Sequence, residues 1–477
     1  MTSTGPAVTA PSAVGSRWLA LAVLCGGTLM IILDQTIVNV ALPAIQGDLG
    51  FTQSSLAWVV NAYLIPFGGL LLLAGRLGDL VGRKRMFVAG LAVFTVASLL
   101  CGLAADPWTL IAARFLQGVG GAMTAAVILG MIVTMFPETG ERAKALGVFS
   151  FVQAAGGSIG LVAGGVLTQA INWHWIFYVN LPIGAVAAVL AVRVLQPDRG
   201  AGLAAGADVV GALLVTAGLM LLVYAIVTTT DHGWGSAHTV GLGATAVALL
   251  VWFVGRQARS ANPLMPLRLF RSRDVSVGNL VQVLMVAAMF GFQFLSALYL
   301  QRVLGYTPIQ IGLAILPVAV AIAALSLGPT PRLATRLGAR PVLLTGLTFL
   351  VVGLSLLGRA PVDGRYLVDI LPALLLLGVG FGLAFPTLMT FAMAGVTQAD
   401  SGLASGLVNT TAQVGGALGL AVLATLATAR TDTLLAAGEP TAVALTSGYH
   451  LSFGVGVALL VVAVVVAVAG LRRGPVD

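Results

Sequence analysis

Long apolar runs recur along the chain, broken at short intervals by clusters of glycine, proline and charge. A helix needs about 20 apolar residues to cross the hydrocarbon of a bilayer. Fourteen runs approach that length, near 18–42, 54–74, 86–105, 108–136, 143–170, 174–196, 207–229, 238–257, 275–301, 308–330, 340–358, 368–394, 401–429 and 447–471. The pattern predicts an all-α polytopic membrane protein. The first run is as long as a full span and many more follow it, so it lacks the shape of a secretory signal.

The pattern also repeats. "RLGDLVGRKRMF" (76–87) follows helix 2, and "RLATRLGARPVL" (332–343) follows helix 10. "QGVGGA" (117–122) and "LGVGFG" (377–382) correspond in helices 4 and 12, as do "QAAGG" (153–157) and "QVGGA" (413–417) in helices 5 and 13. Two similar halves around a midplane site are a common plan of secondary transporters. Helices 7 and 8 fit neither half and read as an inserted hairpin. The expected organisation is a tail over 1–17, a six-helix bundle over 18–196, the hairpin with its linkers over 197–260, a second six-helix bundle over 261–473, and a tail over 474–477.

Composition agrees: 58% of residues are hydrophobic and 8% charged, against about 25% charged in soluble domains. The net charge of +8 raises the possibility of nucleic acid, but its placement argues against that. Nineteen of the 24 bases fall in loops and tails on the side of the termini, including Arg76, Arg83, Lys84 and Arg85, and Arg332, Arg336 and Arg340. Only Arg302, Arg359, Arg365 and Arg430 fall on the other side, and Arg114 lies within helix 4. That bias places both termini in the cytoplasm. Cys25 and Cys101 lie in apolar runs and read as packing residues.

Of the 16 acidic residues, only Asp34 lies well inside a predicted span. A charge near the bilayer centre costs at least about 2.5–3.5 kcal/mol, so such residues face a cavity or a partner. Thr28, Asp34, Gln35 and Asn39 fall within an arc of about 140° on the helical wheel, a polar face directed inward. Arg114 is the available partner: by helical rise, Asp34 and Arg114 lie about 12 Å and 9 Å from the outer ends of their helices. A cation favours the ionised acid and apolar burial disfavours it. The pair therefore reads either as a proton carrier with a changing environment or as a fixed structural bridge.

In helix 5, Gln153, Gly157, Gly160 and Gly164 share one face, and small residues at this spacing let backbones approach and slide. In the loop "GRLGDLVGRKR" (75–85), Gly75, Gly78 and Gly82 are read as permitting the turn, with Asp79 the lone acid among four bases. The four histidines are read as scattered near the outer surface, which offers no metal site, and no phosphate-binding loop is present.

Together these motifs resemble the major facilitator superfamily, and within it the fourteen-helix drug:proton antiporters. "LDQTIVNVALPAI" (33–45) is similar to that family's helix 1 motif, "GRLGDLVGRKR" to the loop between helices 2 and 3, "RFLQGVGGA" (114–122) to the helix 4 motif, and "WHWIFYVNLPIG" (173–184) to the helix 5–6 junction. The resemblance implies a proton-coupled exporter of hydrophobic small molecules in a bacterial inner membrane, working as a monomer without cofactor. It implies proton coupling at Asp34 and Arg114, and a conformational gate at Gly75, Asp79, Gly82 and Arg83. One departure stands out: Leu161 occupies the place where the helix 5 motif has proline, which puts a kink there in doubt. Thr335 replaces Asp79 in the second loop, so the gate is expected to be asymmetric. The expected substrate contacts are Asn39, Asn61, Gln117 and Gln153 from the first half, and Gln282, Gln293, Asn409 and Gln413 from the second. The rival readings are a dedicated exporter of one endogenous metabolite and a polytopic membrane enzyme. The enzyme reading lacks the clustered His, Asp or Glu it would need.

Overall fold

The computed structural model describes residues 14–52, 54–136, 138–196, 198, 200, 202, 208–260, 263–264, 267–392 and 401–471. The side chains of some helical residues, Gln153 among them, fall outside that description. The long helices of the first half are α1 (Val14–Leu49), α2 (Trp58–Val81), α3 (Arg83–Gly102), α4 (Pro107–Met135), α5 (Thr139–Ala170) and α6 (Asn180–Val194). The hairpin is α7 (Val209–Val227) and α8 (Ala237–Arg259). The second half comprises α9 (Arg273–Arg302), α10 (Pro308–Leu327), α11 (Ala339–Leu357), α12 (Leu371–Ala392), α13 (Ser401–Ala436) and α14 (Thr441–Gly470). Among the described residues, 13 helices are long and apolar enough to cross a membrane. The fourteenth, α5, is 32 residues long and is described as apolar over Ile159–Ala170.

Local chemistry sets the helix ends. Asp106 caps α4, accepting from the backbone N–H of Trp108 at 2.9 Å and of Thr109 at 3.0 Å, and Pro107 follows at the first turn. Hydrogen bonds from the Thr109 hydroxyl and backbone hold the Asp106 carboxyl below the usual carboxylate range. Thr307 and Gln310 form a reciprocal capping box at the start of α10, which satisfies two otherwise orphaned N–H groups.

The sequence repeat is also a spatial repeat. α1 packs on α5, α2 on α4 and α3 on α4; in the second half α9 packs on α13, α10 on α12 and α11 on α12. The corresponding glycines do the same work. Gly118 lies under the Tyr63 carbonyl of α2 and Gly378 under the Val318 carbonyl of α10. Gly120 abuts the backbone of α3 at Phe94, and Gly380 abuts α11 at Gly346 and Leu350. The two basic loops turn at equivalent positions, Gly82 with φ 111° and Gly338 with φ 89°, conformations that cost any residue with a Cβ. After the turns, Lys84 Nζ donates to the Val192 carbonyl of α6 at 2.8 Å, and Arg340 donates to the Val468 carbonyl of α14 at 2.5 Å.

The halves meet through two equivalent helix pairs, α5 with α10 and α2 with α13. α7 of the hairpin packs on α2 and α13, so the hairpin lies along the second seam. Its base is closed by Asp208, which accepts from Gly211 N at 2.8 Å, Arg256 Nε at 2.6 Å and Gln257 Nε2 at 2.8 Å. Burial disfavours the charge on Asp208, and these bonds outweigh it, leaving its carboxyl below the usual range.

One expectation changes. α2 continues as helix through Gly75 and Gly78 to Val81, so Gly82 alone makes the turn; Gly78 instead packs tightly against Val127 of α4. α5 runs as one helix through Leu161. Its glycine face meets α1, with Gly160 against Thr36 and Gly164 against Ile37. The neighbouring Gly165 meets Pro308 and Ile309 of α10, and Leu161 turns its carbonyl to Gly312.

Gly312 tests this packing. A methyl group there would stand 2.5 Å from the Leu161 carbonyl, a backbone atom that cannot rotate away. Overpacking of about 1–3 kcal/mol outweighs the gain of up to about 1 kcal/mol from replacing a helical glycine by alanine. Gly312→Ala is therefore expected to lower thermal stability in detergent, whereas Gly454→Ala, where the space is open, is not.

Candidate functional site

Asp34 sits in the middle of α1, and its carboxylate enters the interior of the first half, among α2, α3, α4 and α6. Asp34 is 0% exposed and Arg114, on α4, 1%. Arg114 donates to Asp34 Oδ2 at 2.5 Å, to Gln117 Oε1 at 2.7 Å and, through Nε, to the Val59 carbonyl at 2.9 Å. Its guanidinium lies over the ring of Tyr63, 4.5 Å from the centroid, with Phe177 at 5.8 Å. The other carboxylate oxygen, Oδ1, accepts from Gln117 Nε2 at 2.7 Å and Asn180 Nδ2 at 2.9 Å. Ser98 of α3 completes the cluster, accepting from Gln117 at 2.8 Å and donating to the Phe94 carbonyl at 2.8 Å.

This arrangement overcomes the main obstacle to burying charge. A bare ion in the interior is unsustainable, and an ion pair there is tolerable only when hydrogen bonds satisfy the remaining lone pairs and protons. Asp34 has three donors and Arg114 has three acceptors. The close packing of α2 on α4 at Gly118 and Gly121 brings Val59 and Tyr63 within reach of the guanidinium.

The depth argument correctly anticipates that Asp34 and Arg114 meet. The inward polar face of α1 divides, however. Thr28 bonds back to the Leu24 carbonyl at 3.1 Å and Asn39 to the Gln35 carbonyl at 2.9 Å, while Gln35 reaches the Tyr63 hydroxyl at 3.4 Å. Gln117, read as a substrate contact, is committed to the Asp34 cluster. Ser98, Asn180, Tyr63 and Phe177 were missed, although Phe177 and Asn180 lie within the quoted "WHWIFYVNLPIG" and Ser98 interrupts an apolar helix.

The remaining amides are dispersed. Asn61 on α2 is fully buried with neither amide atom hydrogen-bonded. Gln282 on α9 donates to the Val408 carbonyl at 3.1 Å and leaves its own oxygen unpartnered. Gln413 on α13 also has an unpartnered oxygen, and its Cβ lies opposite Gly68 of α2. Gln293 and Asn409 are half-buried on α9 and α13. The side chain of Gln153 lies outside the described residues.

At the loop between α2 and α3, Asp79 pairs with Arg83 at 2.9 Å, with side-chain exposures of 48% and 34%. Arg83 also donates to Gly130 O and Thr134 Oγ1 of α4, both at 3.1 Å. The N-terminus of α3 is held by Asp198, which accepts from Arg83 N at 2.7 Å and Lys84 N at 3.1 Å. At the equivalent place in the second half, Thr335 bonds its own helix at the Arg332 carbonyl. Gly75 lies in ordinary contact with Ala126. The histidines are less scattered than expected, since His232 and His238 stack 4.4 Å apart.

Hydrogen bonds that join the halves include two at the α1–α2 loop side and one at mid-depth. Arg302 bonds Gln46, Ile309 N donates to Gln169 at 3.3 Å and Thr410 donates to the Gly68 carbonyl at 3.0 Å.

Removing one member of the buried pair strands the other. Arg114→Leu is expected to cost about 3–5 kcal/mol of stability, and Asp34→Asn combined with Arg114→Gln less than the sum of the single changes. Chemical unfolding in mixed micelles measures this; strict additivity would show that the two groups do not interact.

The model of the Major Facilitator Superfamily matches residues 24–420. The chain is 40% identical over 452 residues to the puromycin resistance protein of Streptomyces alboniger, covering 93% of this chain and 90% of that one. It is 39% identical over 449 residues to the cephamycin export protein of Amycolatopsis lactamdurans, covering 94% and 91%. Its fold matches the crystal structure of a POT family transporter with a TM-score of 0.70 at 15% identity, covering 98% of this chain and all of that one.

Proposed function

This chain belongs to the Major Facilitator Superfamily, and we propose that it exports hydrophobic small molecules, such as antibiotics or other toxic compounds, in exchange for protons. Its relatives are named for resistance and export. The observation that carries the proton part of the reading is the pair itself: a wholly buried carboxylate held by a guanidinium at 2.5 Å inside a membrane bundle. The basic loops support an orientation with both termini in the cytoplasm of a bacterial cell. The protein works as a monomer in the inner membrane, with no cofactor and no chemical reaction catalysed.

In that orientation the α1–α2 loop side faces outward, and the structure is closed there. In this scheme the form closed to the outside is the one in which Asp34, as a carboxylate, accepts from Arg114, Gln117 and Asn180. Opening to the outside loosens the pair and lets Asp34 take a proton; return to the inward-facing form and substrate entry drive it off. One proton moving inward supplies about 2.3 kcal/mol per 100 mV and about 1.4 kcal/mol per pH unit. Each tenfold of substrate gradient costs about 1.4 kcal/mol, so a proton at ordinary gradients supports better than a hundredfold accumulation.

Asn61, Gln282 and Gln413 carry the substrate-contact reading best. A buried amide atom without a partner costs about 1–3 kcal/mol, which a substrate carbonyl or N–H would relieve. Asn39, Gln293, Asn409 and Gln153 remain secondary contacts in this scheme, and Gln117 belongs to the proton site. Gly82 and the Asp79–Arg83 pair form the gate, with Gly75 letting α2 lie against α4. A second reading, export of a single compound, is favoured by relatives each named for one antibiotic; a screen of export across compound libraries separates the two.

Inverted vesicles test the coupling. An imposed proton gradient should drive substrate accumulation, and added substrate should dissipate the gradient. Asp34→Asn should abolish both, and uphill transport at the normal rate by that variant would end the carrier role. For the gate, Asp79→Asn should change the ratio of inward- to outward-facing molecules reported by paired spin labels; an unchanged ratio removes Asp79 from the gate.

A further inference from the structure

We propose that Asn180 serves both protonation states of Asp34. Its amide donates to the charged carboxylate and, turned over, accepts from the carboxylic acid. The inference rests on the reading of Asp34 as the proton carrier and extends it by naming the group that lets the protonated form exist in a sealed site.

The argument is one of hydrogen-bond capacity. Asp34 is wholly buried, so each of its forms must find partners within the protein. The charged form has three donors, from Arg114, Gln117 and Asn180. The protonated form has an O–H that needs an acceptor. Arg114 has no acceptor to give. Gln117 Oε1 already accepts from Arg114 at 2.7 Å and from the Cys101 thiol at 3.5 Å. Ser98 Oγ accepts from Gln117 at 2.8 Å, has Asn180 at 3.4 Å as a second donor, and spends its own hydrogen on Phe94. Among the three residues that bond the carboxylate, Asn180 has the one spare acceptor: its Oδ1 is buried and unpartnered.

A half-turn about the Asn180 Cβ–Cγ bond exchanges its nitrogen and oxygen. Oδ1 then stands where Nδ2 stood, 2.9 Å from Asp34 Oδ1. The proton arriving from water bonds to Asp34 Oδ1, and an O–H···O bond replaces the N–H···O bond. Asn180 Nδ2 moves into the unpartnered place that its oxygen leaves. One buried amide atom lacks a partner before and after, so the turn adds no unpartnered amide atom; Arg114, which loses its counter-ion on protonation, keeps Gln117 Oε1 and the Val59 carbonyl as acceptors. Asn180 is well placed for this, because it opens α6 just after the turn Trp175–Tyr178, whose Phe177 covers Arg114.

Infrared difference spectra of the purified full-length protein in lipid nanodiscs, taken through a pH titration, provide the test. The carboxylic acid band absent from Asp34→Asn identifies protonated Asp34. Asn180→Leu, which has no acceptor, should shift that band to the higher frequency of an unbonded acid. Asn180→Ser, whose hydroxyl both donates and accepts, should keep it low. In wild-type protein carrying isotope-labelled asparagine side chains, one labelled carbonyl band should shift at the pH where the Asp34 band grows. That shift should vanish in Asp34→Asn. A labelled spectrum with no band moving in step with Asp34, or an Asp34 band unmoved in Asn180→Leu, overturns the role given to Asn180. The complete absence of an Asp34 acid band across the titration defeats the carrier reading, and this inference falls with it.

Discussion

Charge buried in hydrocarbon dictates much of this structure. Asp34 and Arg114 lie where neither could stay alone, and their mutual attraction does not suffice without hydrogen bonds to the remaining lone pairs and protons. Three further helices therefore contribute to one small cluster, and α4 contributes twice. α2 supplies the Val59 carbonyl and the Tyr63 ring, α3 supplies Ser98, α4 adds Gln117 beside Arg114, and α6 supplies Asn180. The first half is organised around this cluster, and a shift of any of these helices changes the environment of the carboxylate. The proposed coupling of helix movement to protonation rests on that geometry.

Glycine makes such a convergence possible. Without hydrophobic drive between helices inside a bilayer, association depends on close packing, and Gly118, Gly120 and Gly121 bring α4 against α2 and α3. The second half repeats the contacts of Gly118 and Gly120 at Gly378 and Gly380, yet Leu374 and Leu377 stand where the first half has Arg114 and Gln117. The common packing scaffold is shared by both halves, while the chemistry resides in one.

The same division appears at the loops. Gly82 and Gly338 make equivalent turns, and Lys84 and Arg340 tie equivalent helices together. The first loop adds the Asp79–Arg83 pair and the Asp198 cap, and Thr335 stands in the second where the first has Asp79. The hairpin adds a further asymmetry, since it packs along the α2–α13 seam and not, among the described residues, along the equivalent α5–α10 seam.

Much of this was legible in the sequence. Apolar runs of membrane length specify helices because no other open backbone conformation satisfies its own polar groups in lipid. The repeats announced two halves, the isolation of Asp34 marked it as exceptional, and helical rise placed Arg114 at its depth. The wheel of α1 could not say which polar residues would look outward from their own helix, because Thr28 and Asn39 satisfy themselves on backbone carbonyls one turn away. Nor could the loop motif show that Gly75 and Gly78 remain helical, since glycine is compatible with a turn and with tight packing alike. Asn180, a partner of Asp34, lies 146 residues away along the chain, and Ser98, a partner of Gln117 and Asn180, lies 64 residues away. Sequence spacing carries no information about contacts across such distances; only the packing of five helices brings Ser98 and Asn180 into one cluster with the carboxylate and leaves the Asn180 amide oxygen without a partner.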